Sequence, residues 1–431
     1  MRRKIMENLK KWRFEIKSRM PLLLYGARQV GKTYAMQELG ANEFKNTIYV
    51  NFEADRTIGS FFESNIHPDA VIKVLEKYFH TTVIPDETLI IFDEIQMCER
   101  ALISLKYFAE EAPEYHVIAA GSLLGVAVNR SRQSFPVGKV RMLTMYPMDF
   151  EEYLWARGKD LLADRIRECF VREQALPEKL HQEALGEYYN YCINGGMPAV
   201  VRAETEEQAT LSQAEIRQML LDSYIADMTK YAAPGEAVKI FAAYDSLPSQ
   251  LARDSKKFQY KLIKNGARAS QYGDSIDWLI RTGIVNKCTK CTQGFMPPSA
   301  FQELASFKLY YSDTGIMSAR TNMNLERIMS SESEHFRGIF AENYVACALK
   351  ANGYELMYWE SDGKAEVDFL IIRGDHVIPV ECKAAGDHVR AKSLAIYKEK
   401  YHPEYCIRIS TRNFGTAAGI KSVPLYAVFC I

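Results

Sequence analysis

The stretch Pro21–Gly40, PLLLYGARQVGKTYAMQELG, decides the fold of the front third of this 431-residue chain. Leu22–Tyr25 is an apolar run of strand length, a glycine loop follows, and a helical stretch ends at Gly40. Gly26, Gly31, Lys32 and Thr33 fill the pattern G-x-x-x-x-G-K-[ST], with Ala27, Arg28, Gln29 and Val30 between them. Glycines let such a backbone curl so that its N–H groups face phosphate oxygens. Lys32 is then placed to neutralise β- and γ-phosphates, Thr33 to coordinate Mg²⁺, and the helix N-terminus to add a favourable dipole.

A pattern this short needs context, and TLIIFDEIQ (88–96) supplies it. Four apolar residues end in Asp93 and Glu94, as in a buried parallel strand that delivers carboxylates to the edge where ligands of open α/β sheets bind. Asp93 suits the Mg²⁺ shell and Glu94 the attacking water. Alone, Asp-Glu would read as a solvated turn; beside a complete phosphate loop it reads as an ATP site. The run HVIAAGS (116–122) is a further strand ending in Ser122, either a γ-phosphate sensor or an ordinary strand-end serine, and NTIYVNFE (46–53) is another. The set resembles the AAA+ branch of P-loop ATPases. These enzymes complete their sites with an arginine from a neighbouring subunit, so a homo-oligomer is among the expectations. Arg130, Arg132 and Arg141 are candidates, each equally readable as a surface salt-bridging residue, and none is assigned.

Composition sets the outer bounds. The chain is 48% hydrophobic and 25% charged, and Lys+Arg and Asp+Glu balance at 54 each, so any nucleic-acid contact must come from a local patch. The basic start MRRKIMENLKKWRFEIKSRM is followed by no apolar h-region and reads as neither signal peptide nor membrane span; the apolar runs are strand-sized, and no membrane association is expected. Nine scattered cysteines accord with reduced thiols in the cytoplasm. Cys288 and Cys291 have C-x-x-C spacing, but no second ligand pair lies nearby in sequence, so they read as hairpin residues and no metal is assigned.

After MYPMDFEEYLWARGKD (145–160) the chain turns helical and charge-mixed to about residue 235, interrupted by NGGMPAVV (194–201), as in a helical lid. Ile276, Leu279 and Ile280 then form a helical stripe, Gly283 ends it, and a hairpin-like IVNKC follows, similar to a winged helix-turn-helix. RDSKKFQYKLIKNGAR (253–268) carries six basic residues against one acidic, with Phe258 and Tyr260 interleaved. It suits a DNA backbone, or equally a solvated face or a domain contact.

The tail poses its own problem in VDFLIIRGDHVIPVECK (367–383), where strand-like runs carry Asp368, Glu381 and Lys383. Side chains alternate along a strand, so Glu381 and Lys383 share one face while Val380 and Cys382 build the other. Two convergent carboxylates suit a divalent cation such as Mg²⁺, and a lysine beside them can assist attack on a phosphoryl group. Upstream, Glu342 falls in helical register with Ile339, Val345, Ala346 and Leu349, and a glutamate on an apolar stripe must meet a partner.

Helix Glu342, strand Asp368, then Glu381 and Lys383 is the order of the PD-(D/E)XK nuclease superfamily; a salt-bridged strand pair is the alternative. Over nearly its whole length the chain resembles a family of bacterial and archaeal AAA+ ATPases with a C-terminal domain of unknown function (number 4143). The landmarks are GARQVGKT, LIIFDEIQ, AAGS, YPMDFEEYL, NGGMPAVV, YYSDTG, FAENYVACAL, EVDFLI and VECK. Where that family commonly has Gly-Arg this chain has Gly138-Lys139, which weakens an arginine role there.

The resemblance implies an α/β chain laid out as nucleotide domain (1–155), helical lid (156–235), winged-helix-like domain (236–325) and nuclease-like domain (326–431). It implies ATP and Mg²⁺ binding and ATP hydrolysis. The expectation for function is an ATPase cycle controlling a metal-dependent nuclease-like tail acting on DNA. The rival is an ATP-switched binding module whose tail cuts nothing.

Overall fold

A computed structural model describes residues 1–15, 19–121, 136, 138–206, 210–230, 232, 234–324, 327–328, 334–361, 365–384 and 392–431. They form two compact units, Arg3–Tyr146 and Pro147–Ile431 together with Met1–Arg2. The helix that follows Pro147 belongs to the second of these units.

In the first unit, α1 (Ile5–Arg13), α2 (Lys32–Glu43), α3 (Arg56–Ser64), α4 (Pro68–Phe79) and α5 (Glu99–Glu111) accompany five strands. These are β1 (Leu22–Tyr25), β2 (Asn46–Asn51), β3 (Thr88–Asp93), β4 (His116–Ala120) and β5 (Arg141–Thr144). Their order is β2-β3-β4-β1-β5 and every pairing is parallel. Every residue of β3 is buried, as a strand covered on both faces requires, which explains why its sequence is a continuous apolar run. Phe92 packs with Phe52, Phe62, Leu75, Leu105 and Phe108 on one side of the sheet. Because β4 lies between β1 and β3, the phosphate loop after β1 and the carboxylates ending β3 flank a crevice at one sheet edge.

The second unit holds α6 (Phe150–Ala156), α7 (Asp160–Arg172), α8 (Glu178–Asn194), α9 (Pro198–Thr205), α10 (Gln213–Lys230), α11 (Pro234–Asp245) and α12 (Leu247–Leu251). After these come α13 (Ala269–Arg281), α14 (Thr314–Thr321), α15 (Glu334–Ala351) and α16 (Lys392–Tyr401). Its strands are β6 (Val285–Cys291), β7 (Gln302–Tyr311), β8 (Met357–Ser361), β9 (Ala365–Arg373), β10 (His376–Cys382), β11 (Cys406–Ser410), β12 (Gly415–Ala417) and β13 (Ile420–Pro424). They make one mixed sheet in the order β12-β13-β11-β10-β9-β8-β6-β7.

The hairpin expected as a wing is therefore continuous with the tail: β6 pairs antiparallel with β7 and parallel with β8. Cys288 and Cys291 are buried free thiols within β6. The landmarks of the sequence also knit the helices to the sheet. Asp313, after β7, caps α14 by accepting from Ile316 N and accepts from Gly196 N at 2.7 Å. Gly196 also lies tight against Met148, where a Cβ would stand 1.9 Å from the carbonyl oxygen. Only glycine allows that approach.

Candidate functional site

At the first unit's sheet edge, the loop leaves β1 through Gly26, whose φ of 143° belongs to glycine and where a Cβ would lie 2.1 Å from the Met145 carbonyl oxygen. Gln29 and Gly31 also have positive φ, which curls the loop back toward α2. Gly31 is the N-cap of α2 and has no side chain to satisfy the first-turn N–H groups, an arrangement suited to an anion. Lys32 is buried, and its Nζ donates to the carbonyls of Gly26 and Ala27 at 2.8 Å each. Burial lowers its ammonium to about 8 against the pull of Glu94 and Asp93.

Asp93 ends β3 and is buried. Its Oδ2 accepts from Thr33 Oγ1 at 2.7 Å and from the Tyr49 hydroxyl at 2.8 Å, while Oδ1 accepts from Glu94 N at 3.0 Å. Glu94 sits in the left-handed region (φ 50°), which turns it out of the strand direction, and its Oε2 accepts from the Gln96 amide. The structure thus brings together the predicted Gly26–Thr33 loop, Asp93 and Glu94. Tyr49 is an addition: it projects from β2, the neighbour of β3, and burial, with help from Asp93, raises its phenol to about 12. A tyrosine alternating along a strand gave no sequence signal of its own. Ser122, Arg130 and Arg132 lie outside the described residues; Arg141 is on β5 and pairs with Glu15.

The donor set fits a nucleoside triphosphate with Mg²⁺. A hydroxyl and a carboxylate in direct contact, a desolvated ammonium and a backbone cradle are the groups that would hold metal and phosphates. Thr33 and Asp93 would hold Mg²⁺, which when bound would supply positive charge to offset that of the phosphates.

The second cluster lies on the other unit. Glu342 is buried on α15; its Oε1 accepts from the Tyr310 hydroxyl at 2.5 Å and from Lys308 Nζ at 3.2 Å, and its Oε2 accepts from Lys256. Burial works to raise this carboxyl, but Lys256 and Lys308 win and hold it well below the usual range. Lys308, itself buried on β7, also donates to Glu366 Oε1 at 2.6 Å. Asp368 on β9 accepts from Cys382 N at 2.8 Å, and burial with the charge of Glu342 raises its carboxyl. Glu381 on β10 is buried, 3.5 Å from Lys383 Nζ and 3.7 Å from Arg408 Nε, and burial raises it too.

Asp368, Glu381 and Lys383 thus gather at β9 and β10 of one sheet, and Glu342 on α15 is close enough for its charge to act on Asp368. The sequence reading missed Lys256, Lys308, Glu366 and Arg408. Lys308 carries the same signal as Glu342, a charge in an apolar run (ASFKLYY). With the two lysines present, the residues do not fit a metal. Both oxygens of Glu342 are taken by ammonium groups or a phenol, and among the described residues no three His, Cys, Asp or Glu side chains are grouped to hold an ion.

Comparison with known proteins follows the same division. The family described as AAA domain matches residues 18–154, a domain of unknown function (DUF8612) matches 185–327, and a domain of unknown function (DUF4143) matches 337–428. The chain carries a P-loop AAA ATPase domain and a C-terminal DUF4143 domain. None of the curated proteins compared with the chain matches it.

Among solved structures it is similar to a Walker-type ATPase of Pyrococcus abyssi (14% identity, 74% of this chain and 95% of that one, TM-score 0.45). It is also similar to the ORC2 protein of Aeropyrum pernix in ADPNP–ADP complexes (12%, 79% and 94%, TM-score 0.35). The ORC1 protein of the same organism, solved in complex with DNA, is a third (13%, 74% and 91%, TM-score 0.28). Among the described residues no helix is long and apolar enough to cross a membrane.

Proposed function

We propose that the chain is a Mg²⁺-dependent ATPase whose nucleotide cycle switches the C-terminal unit, with DNA as the partner of that unit. The observation that carries the reading is the contact between Thr33 Oγ1 and Asp93 Oδ2 at 2.7 Å beside the buried Lys32. In this reading Lys32 and the Gly26–Gly31 amides bind phosphate, Thr33 and Asp93 hold the metal, Tyr49 fixes Asp93, and Glu94 orients water and takes its proton. Such a reaction belongs in the cytoplasm, where ATP is supplied.

Exposed Lys261, Lys264 and Arg268 support the DNA part, since basic side chains open to solvent suit phosphates. Lys256 and Lys257 of the same basic stretch face inward instead, to Glu342 and Glu360. Of the two readings of the tail, the engagement of Glu342 by Lys256 and Lys308 favours a unit that does not cut in this conformation. A metal-dependent nuclease would need those carboxylates released.

ATP hydrolysis with and without duplex and single-stranded DNA tests this. DNA should stimulate wild type by several-fold, Lys32→Ala should abolish hydrolysis, and Lys261→Glu with Lys264→Glu should remove the stimulation only. Hydrolysis indifferent to DNA in wild type would remove DNA as the partner.

A further inference from the structure

Directly after Glu94 the chain makes one tight turn, Ile95–Met97, in which Met97 N donates to Glu94 O at 2.9 Å and Cys98 N to Ile95 O at 3.0 Å. Ile95 is fully buried in the core that holds Phe52, Phe62 and Phe92, which anchors the turn to the sheet. At its other end Cys98 is the N-cap of α5. Gln96, held between these anchors, donates from its side-chain amide to Glu94 Oε2. An ionised carboxylate only accepts, so the amide NH₂ must face Glu94 and the amide oxygen must face away. That oxygen, Gln96 Oε1, is buried and accepts no hydrogen bond among the described residues.

For stability alone this orientation is unfavourable. Glu94 is only partly buried, so water could solvate its carboxylate without help. The buried Gln96 oxygen, by contrast, has lost its water and gained no donor in exchange. The amide therefore serves the direction of the carboxylate, not its own burial. Glu94 in turn stands close enough to the phosphate loop for its charge to act on Lys32, more strongly than that of Asp93. Held at Oε2, and turned by its left-handed backbone, it has Oε1 unengaged among the described residues.

We propose that Gln96 is a positioning residue for ATP hydrolysis: its grip on Oε2 leaves Glu94 Oε1 as the atom that takes the proton of water. In that step a water O–H bond breaks and its proton passes to Oε1. The water oxygen bonds to the γ-phosphorus, the bond from that phosphorus to the bridging oxygen breaks, and its electron pair leaves with ADP. Gln96 touches neither the water nor the nucleotide and acts through Glu94 alone. The inference rests on the ATPase reading above and adds the residue that aims the base.

The experiment compares kcat with ATP binding in the full chain. Gln96→Met, which keeps the volume but removes the donor, should lower kcat about tenfold while ATP affinity changes less than about twofold. In the Glu94→Gln background, read by single turnover, the same change should lower the rate no further, because no base is left to aim. Gln96→Glu should recover part of the lost rate at pH 6 and none at pH 8.5. A protonated carboxyl donates as the amide does, and an ionised one repels Glu94. Gln96→Ala serves if the Met variant fails to fold.

A folded Gln96→Met chain with the kcat of wild type would overturn the proposal. So would an equal loss in the Glu94→Gln background, the result a merely structural residue gives, or a Gln96→Glu pH profile parallel to that of wild type. Wild type that binds ATP without hydrolysing it would instead refute the ATPase reading, and this inference with it.

Discussion

Burial lowers the Lys32 ammonium to about 8, so above that pH the unliganded loop holds a neutral amine. Phosphates favour the ammonium, and ATP binding at higher pH must therefore take up a proton. ATP affinity should fall from pH 8 to 9.5, approaching about tenfold per unit. Titration of a fluorescent ATP analogue checks it, and a flat profile would contradict it. The sign for folding is opposite: a lysine whose folded value lies below 10.5 makes the fold more stable as pH rises through that window. Tyr49 acts one contact further out. Its hydroxyl holds Asp93 Oδ2, so Tyr49→Phe should raise the Mg²⁺ concentration needed for half-maximal hydrolysis by about tenfold while sparing ADP binding without metal. An unchanged Mg²⁺ dependence would remove Tyr49 from the site.

At the scale of elements, β4 carries a titration of its own. His116 opens the strand fully buried, between the rings of Trp12 and Phe44 and beside Arg13, Arg19 and Asp86, and burial with the charge of Arg19 lowers it to about 4. Protonation belongs to the unfolded chain, so stability is lost as pH falls below 6.5 toward 4. The loss from this one group is about 2–3 kcal/mol. Urea unfolding at pH 7 and pH 4.5 should show the difference shrinking in His116→Phe; an equal loss in both proteins would contradict the assignment.

Elements were also where the sequence was most readable. The loop, β3 and the Glu342 helix are local patterns, each with its chemistry written in adjacent residues. The pairing of β6 with β8 joins residues 289–291 to 357–359 and has no local signature, so a wing and a tail read as separate pieces of what is one sheet. Lys256 was legible only as part of a basic run, because the carboxylate it meets lies 86 positions away.

For the whole molecule, the two units divide the chemistry. The first has a parallel sheet with phosphate-binding and carboxylate elements at one edge; the second has a mixed sheet whose acidic cluster is offset by its own lysines. An ATPase that drives a switched module needs the first site to turn over. The most direct measurement is steady-state ATP hydrolysis by wild type and Glu94→Gln, with ATP binding followed in parallel. Mg²⁺-dependent hydrolysis that falls by at least about 100-fold in Glu94→Gln while ATP still binds is the predicted result. Equal hydrolysis in the two proteins, or none in wild type with ATP bound, would contradict it.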